Sequence, residues 1–191
     1  MVSGLPRSGT SMVMQMLEAG GLEIVTDEIR VPDESNPKGY FELEQVKALE
    51  AGDVAWIVEA RGRAVKVIAY LLEYLPSTLN YRVLFIIRNL DEVLASQAKM
   101  LALRGEVPDA GDPLGANEDR LRETFYGHLA GARRLLARDP RFDVLYLRHE
   151  EVLRDPGSAA EQIADFIGGG LDVAAMAAAV DPALHRIRIG E

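Results

Sequence analysis

The segment Gly4-Leu5-Pro6-Arg7-Ser8-Gly9-Thr10-Ser11 sets two glycines five residues apart, with a hydroxyl two places after the second. That is the spacing of a phosphate-wrapping loop, G-x-x-x-x-G-K-[ST], except that Thr10 stands at the lysine position. A cation sits inside the loop instead, at Arg7. Glycine lets backbone amides turn inward toward anionic oxygens. A following helix offers unpaired N–H groups and the positive end of its dipole. Ser8, Thr10 and Ser11 add hydroxyls, and Arg7 a guanidinium suited to oxyanions. A plain strand-to-helix turn would use the glycines and the proline as punctuation, but it has no need of the arginine or the hydroxyl run. The missing lysine counts against ATP or GTP chemistry, because that lysine reaches the β- and γ-phosphates.

A second group is Arg88-Asn89-Leu90-Asp91-Glu92-Val93-Leu94-Ala95-Ser96. Arg88 ends an apolar run, and Ser96 lies about two helical turns further on. Ligands of open α/β sheets bind beyond the carboxyl ends of strands, which places Arg88 beside the glycine loop. From spacing alone, an exposed strand-end arginine and an unremarkable helical serine fit equally well. His128, His149 and His185 are far apart, which argues against a zinc site.

These residues need elements to position them. Met1-Val2-Ser3 leads into the loop as a short strand, and Ser11 to Glu18 continues as a helix that Gly20-Gly21 ends. Strands are predicted over Leu22–Thr26, Ala64–Ala69, Arg82–Ile87 and Phe142–Leu147. Arg82–Ile87 is apolar almost throughout, as a strand covered on both faces must be. Helices are predicted over Glu42–Glu50, Asp91–Leu103, Glu118–Arg138, Ser158–Ile167 and Leu171–Val180. On the long one, Leu121, Phe125, Leu129, Ala132 and Leu135 or Leu136 recur at three and four. Asp27–Tyr40 and Gly105–Ala116 read as loops of functional length. Strands alternating with helices imply parallel pairing through crossovers. The expected architecture is therefore a three-layer α/β fold around a central, mostly parallel sheet, as one domain over residues 1–191.

Composition narrows the function. The chain has 191 residues, 48% of them hydrophobic but only 6% aromatic, so aliphatic side chains must fill the core. With no cysteine, disulfides, thiolate metal sites and cysteine nucleophiles are excluded. A net charge of −9 disfavours nucleic acid and anionic membranes, so an anionic ligand must be held by local cations. No apolar run is long enough to span a membrane. Gly4, Pro6 and Arg7 interrupt where a signal peptide would be apolar, and the expected location is the cytoplasm.

The first loop resembles the 5′-phosphosulfate loop of sulfotransferases that use 3′-phosphoadenosine 5′-phosphosulfate. Its arginine is similar to that of the tyrosylprotein and bacterial branches. Arg88-Asn89 to Ser96 resembles the 3′-phosphate segment of the same family. Tyr146-Leu147-Arg148-His149-Glu150-Glu151-Val152-Leu153-Arg154-Asp155-Pro156 resembles its strand and acidic-Leu…Asp-Pro segment. The resemblance implies that Arg7, Ser8, Gly9, Thr10 and Ser11 hold the 5′-phosphosulfate, and Arg88 and Ser96 the 3′-phosphate. It implies a P-loop fold and in-line transfer of a sulfuryl group to a hydroxyl or amine, with no metal. It also implies that Lys66 stabilises the leaving oxygen. The cytosolic branch places a histidine base two residues after that lysine, where this chain has Ile68. The carboxylate branches use a glutamate after the second strand, which makes Glu28 the first candidate base, Asp27 its neighbour in register, and Glu42 the second.

The acceptor is open among small molecules, glycans, lipids and peptides. Its site draws on the Gly105–Ala116 loop or on a second subunit in a homodimer. Trp56, Tyr40 and Phe41 are candidate lining residues, although packing suits Trp56 as well. A P-loop kinase and a non-catalytic nucleotide-binding module are the competing readings.

Overall fold

The structure, a computed structural model, describes residues 1–27, 29, 39–104 and 118–181. Strands β1 (Val2–Gly4), β2 (Tyr81–Ile87) and β3 (Phe142–Arg148) form a parallel sheet in that order. Val2 pairs with Leu84 and Gly4 with Ile86, while Tyr81 to Ile87 run in register with Phe142 to Arg148. Helices α1 (Thr10–Ala19), α2 (Ala55–Glu59), α3 (Leu90–Arg104), α4 (Glu118–Arg138), α5 (His149–Arg154), α6 (Pro156–Ile167) and α7 (Val173–Ala179) surround it. Two 3₁₀ helices, Glu44–Ala51 and Ala69–Tyr74, complete the described elements.

Side chains alternate along β2, so its apolar run divides between two faces. Val83 and Phe85 enter a core with Val65, Val67, Leu72, Ala132 and Leu136, which brings in α4. Leu84 and Ile86 enter the opposite core with Val13, Met14, Ala160 and Ile163, which brings in α1 and α6. The expected three-layer α/β architecture is thus the observed one. A third, smaller cluster joins Leu5 of the glycine loop to Val93 and Leu94 of α3 and to Leu121 and Phe125 of α4.

The predicted strands Leu22–Thr26 and Ala64–Ala69 are much shorter than expected. The first keeps one isolated parallel bridge, Ile24 to Ala64, and the second keeps two, Ala64 to Ile24 and Lys66 to Val2. Backbone bonds still tie them to the sheet edge: Val67 N–H donates to Val2 O at 3.0 Å, and Val25 N–H to Ala64 O at 2.8 Å. The second of them is cut short because Ile68 caps the 3₁₀ helix that begins at Ala69. The predicted helix over Glu42–Glu50 is instead the 3₁₀ turn series beginning at Glu44. The Asp-Pro pair has a local role. Asp155 Oδ1 accepts from Ser158 N–H at 3.0 Å as the N-cap of α6, and Pro156 occupies its first position, where a missing N–H costs nothing.

Candidate functional site

The glycine loop lies at the carboxyl end of β1, between the sheet and α1. Arg7 has φ +65 and Gly9 φ +104, so the chain turns through two left-handed residues before the helix starts. For arginine that conformation costs about 1–2 kcal/mol. Both glycines are required by close approach. A Cβ on Gly4 would stand 2.6 Å from Ser8 Oγ and 2.8 Å from Ile86 O, and one on Gly9 would stand 2.6 Å from Cδ2 of His149. Gly9 is the N-cap of α1 and offers no side-chain acceptor, so no cap side chain answers the first-turn amides. Ser8 turns inward: its hydroxyl donates to Leu5 O at 2.7 Å and its N–H to the same carbonyl at 3.2 Å. It therefore shapes the loop from within. Thr10, also buried, and Ser11 open the helix.

The second motif meets this loop directly. Arg7 Nε donates to Ser96 Oγ at 3.1 Å, across 89 residues of sequence. Arg88 donates from Nη1 to the Arg7 carbonyl at 3.1 Å and from Nε to Glu92 Oε2 at 2.9 Å. Arg7, Arg88 and Ser96 therefore form one cluster beyond the carboxyl ends of β1 and β2.

A third group adjoins α1. Lys66 is only 7% exposed. Its ammonium donates to the Tyr40 carbonyl and lies 3.4 Å from Glu42 Oε1. The same Tyr40 carbonyl accepts from Ser11 Oγ at 3.3 Å, which links this corner to the glycine loop. Phe41, between Tyr40 and Glu42, has φ +51, so the chain folds sharply here and turns both acceptors toward Lys66. Thr26 Oγ1 donates to Glu42 O at 2.8 Å and anchors that turn.

Asp27 accepts from the N–H groups of Ile29 and Glu44 and so organises backbone. Glu28 lies outside the described residues, as do the Gly105–Ala116 loop and His185. Trp56 is buried in the core and donates from Nε1 to Asp53 O at 3.2 Å, a packing role. His128 stacks on Tyr70, with ring centroids 5.0 Å apart, and burial holds its pKa below the usual imidazole range against the opposing pull of Glu73. His149 opens α5 and is buried under Gly9. Sequence reading missed that contact, the Tyr40 carbonyl and the Glu92 clamp on Arg88. Only the last left a trace, an acid four residues after the arginine.

Among the described residues, no group of three or more histidines or acids gathers to hold a metal ion, and no helix is long and apolar enough to cross a membrane.

Comparison with known proteins adds to this geometry. The family model described as "Sulfotransferase domain" matches residues 1–187. Among solved structures, the chain is similar to the sulfotransferase domain from the Synechococcus PCC 7002 olefin synthase, at 19% identity and a TM-score of 0.51. That alignment covers 100% of this chain and 88% of the other, and it speaks for the fold. No curated protein matches the chain.

Proposed function

Because the chain belongs to the sulfotransferase-domain family, which with its fold supports sulfuryl transfer in general, we propose that it transfers the sulfuryl group of 3′-phosphoadenosine 5′-phosphosulfate to a hydroxyl or amine acceptor. One observation carries this reading: the contact of Arg7 with Ser96 and Arg88, which joins two anion motifs 81–89 residues apart into a single site. A nucleotide with phosphate groups at both 5′ and 3′ ends is the ligand such a double site suits. The arginine-containing loop is the feature that favours the tyrosylprotein and bacterial branches.

In this reading the loop amides, Arg7, Thr10 and Ser11 hold the 5′-phosphosulfate, with Ser8 and Gly9 setting the turn. Arg88 and Ser96 hold the 3′-phosphate. Local cations overcome a chain whose overall charge is −9. The acceptor oxygen attacks sulfur in line, and the bond from sulfur to the bridging phosphate oxygen breaks. Lys66 stabilises the charge that develops on that oxygen, because an ammonium in an enclosed site is already oriented when the charge appears. Glu42 takes the acceptor proton. It is favoured over Asp27, whose carboxylate already holds two backbone amides. Glu28, the first candidate from the sequence, stays the alternative base. No metal enters the scheme, and acceptors among small molecules, glycans, lipids or peptides all satisfy it.

The test is transfer of sulfur-35 from the labelled donor over a panel of phenols, sugars, lipids, peptides and amines. Labelled product with wild type, and a loss of about 10²–10³ in kcat for Lys66→Ala, is the expected result. Magnesium-dependent ATP turnover with no transfer would favour a P-loop kinase.

A further inference from the structure

The wall between the glycine loop and α3 contains an ion pair that the scheme above leaves without a task. Glu92 lies in the first turn of α3, and its Oε2 accepts from Arg88 Nε at 2.9 Å. Both side chains are nearly enclosed, 10% and 13% exposed. The same guanidinium reaches the Arg7 carbonyl through Nη1 at 3.1 Å. A guanidinium is planar and rigid, so fixing Nε fixes the direction of Nη1. The carbonyl that Nη1 holds belongs to the left-handed residue of the loop, at φ +65. Its orientation sets where the next amides point. On charge alone, a carboxylate beside a site for anionic oxygens should weaken it. Its presence there, enclosed and well bonded, calls for a compensating role.

We propose that Glu92 is a positioning residue. It aims Arg88 at the glycine loop and at the 3′-phosphate together, so that the two anion motifs stand as one preformed receptor. This rests on the donor reading above and adds a residue to it. Glu92 acts through Arg88 and does not contact the nucleotide.

The experiment is calorimetric titration of the full chain with 3′-phosphoadenosine 5′-phosphate, for wild type, Glu92→Ala, Glu92→Gln, Arg88→Ala and the Arg88→Ala/Glu92→Ala double variant. Amide hydrogen exchange at residues 5–9 is followed without nucleotide. Glu92→Ala is expected to weaken binding by about tenfold or more, against the electrostatic sign. Glu92→Gln, which keeps an oxygen acceptor, stays within about threefold of wild type. The double variant binds like Arg88→Ala, because the two losses are one loss. Loop amides exchange faster in Glu92→Ala than in wild type.

Unchanged or tighter binding by Glu92→Ala, or losses that add in the double variant, would overturn the proposal. Should Glu92→Ala not fold, Glu92→Gln decides: tightening of about tenfold, the gain expected from lost repulsion, overturns it, and near-wild-type binding with wild-type loop exchange supports it. A wild type with no preference for the bisphosphate over AMP sinks the donor reading instead. The exchange measurement, made without nucleotide, then still judges Glu92.

Discussion

The anion cradle and the lysine corner meet at Ser11, yet they are assembled in different ways. The cradle is two short runs, residues 4–11 and 88–96, each lying at the end of a strand and the start of a helix. The corner joins Lys66 to Tyr40 and Glu42, 24–26 residues away, through one backbone carbonyl and one carboxylate. In the cradle, glycine at Gly4 and Gly9 permits the turn of the backbone, and the Arg7 and Arg88 guanidiniums tie the two runs together. In the corner, a buried ammonium is held by one carbonyl and one carboxylate, and a single substitution leaves a partner stranded in an enclosed place. In the proposed scheme the first arrangement binds and the second does the chemistry. Substitutions should separate the two.

The largest effect is expected at Glu42. Glu42→Gln should lower kcat by about 10²–10⁴ while bisphosphate affinity stays within about threefold, read by steady-state transfer and calorimetry. Full turnover by this variant would move the base to Glu28 and confine the corner to stabilising the leaving oxygen. Next is Arg88→Ala, which should weaken the bisphosphate by ~1.5–3 kcal/mol and erase its preference over AMP. Rate at saturating donor should change far less. A loss in kcat alone would break the division between binding and chemistry.

Gly9→Ala comes third. Left-handed backbone costs alanine about 1–2 kcal/mol, and its Cβ would stand 2.6 Å from His149 Cδ2. Thermal unfolding should register both penalties. Gly9→Ala/His149→Ala should return the contact part and keep the backbone part. Smallest is Asp155→Ala, which removes the α6 cap and should lower stability by about 1 kcal/mol. Nucleotide binding and turnover should not follow, since Asp155 belongs to neither region.

The same contrast explains what the sequence could reveal. The cradle was legible because glycine spacing, an interior arginine and a strand-end arginine are local signals, and the layers followed from strand–helix alternation. Lys66 was legible only through the family resemblance, inside a predicted strand. Its partners depend on how the chain returns after residue 38, and no periodicity encodes that. Tyr40 contributes a carbonyl, which every residue type has. The contact of His149 with Gly9 was not legible, because it arises only when β3 takes its place beside β2. Ile24 and Lys66 kept strand-like sequence but formed single bridges, since the 3₁₀ helix starting at Ala69 and the turn at Gly20-Gly21 leave little room for longer ladders.

The central claim is that the two anion motifs form one site for a nucleotide phosphorylated at both ends. Titration of the wild-type chain with 3′-phosphoadenosine 5′-phosphate, AMP and magnesium-ATP in parallel tests it most directly. The account predicts that the bisphosphate binds more tightly than AMP by about 1.5–3 kcal/mol, one charge-assisted hydrogen-bond set at the 3′-phosphate. Equal affinity for AMP, or magnesium-ATP as the tightest ligand, would contradict it.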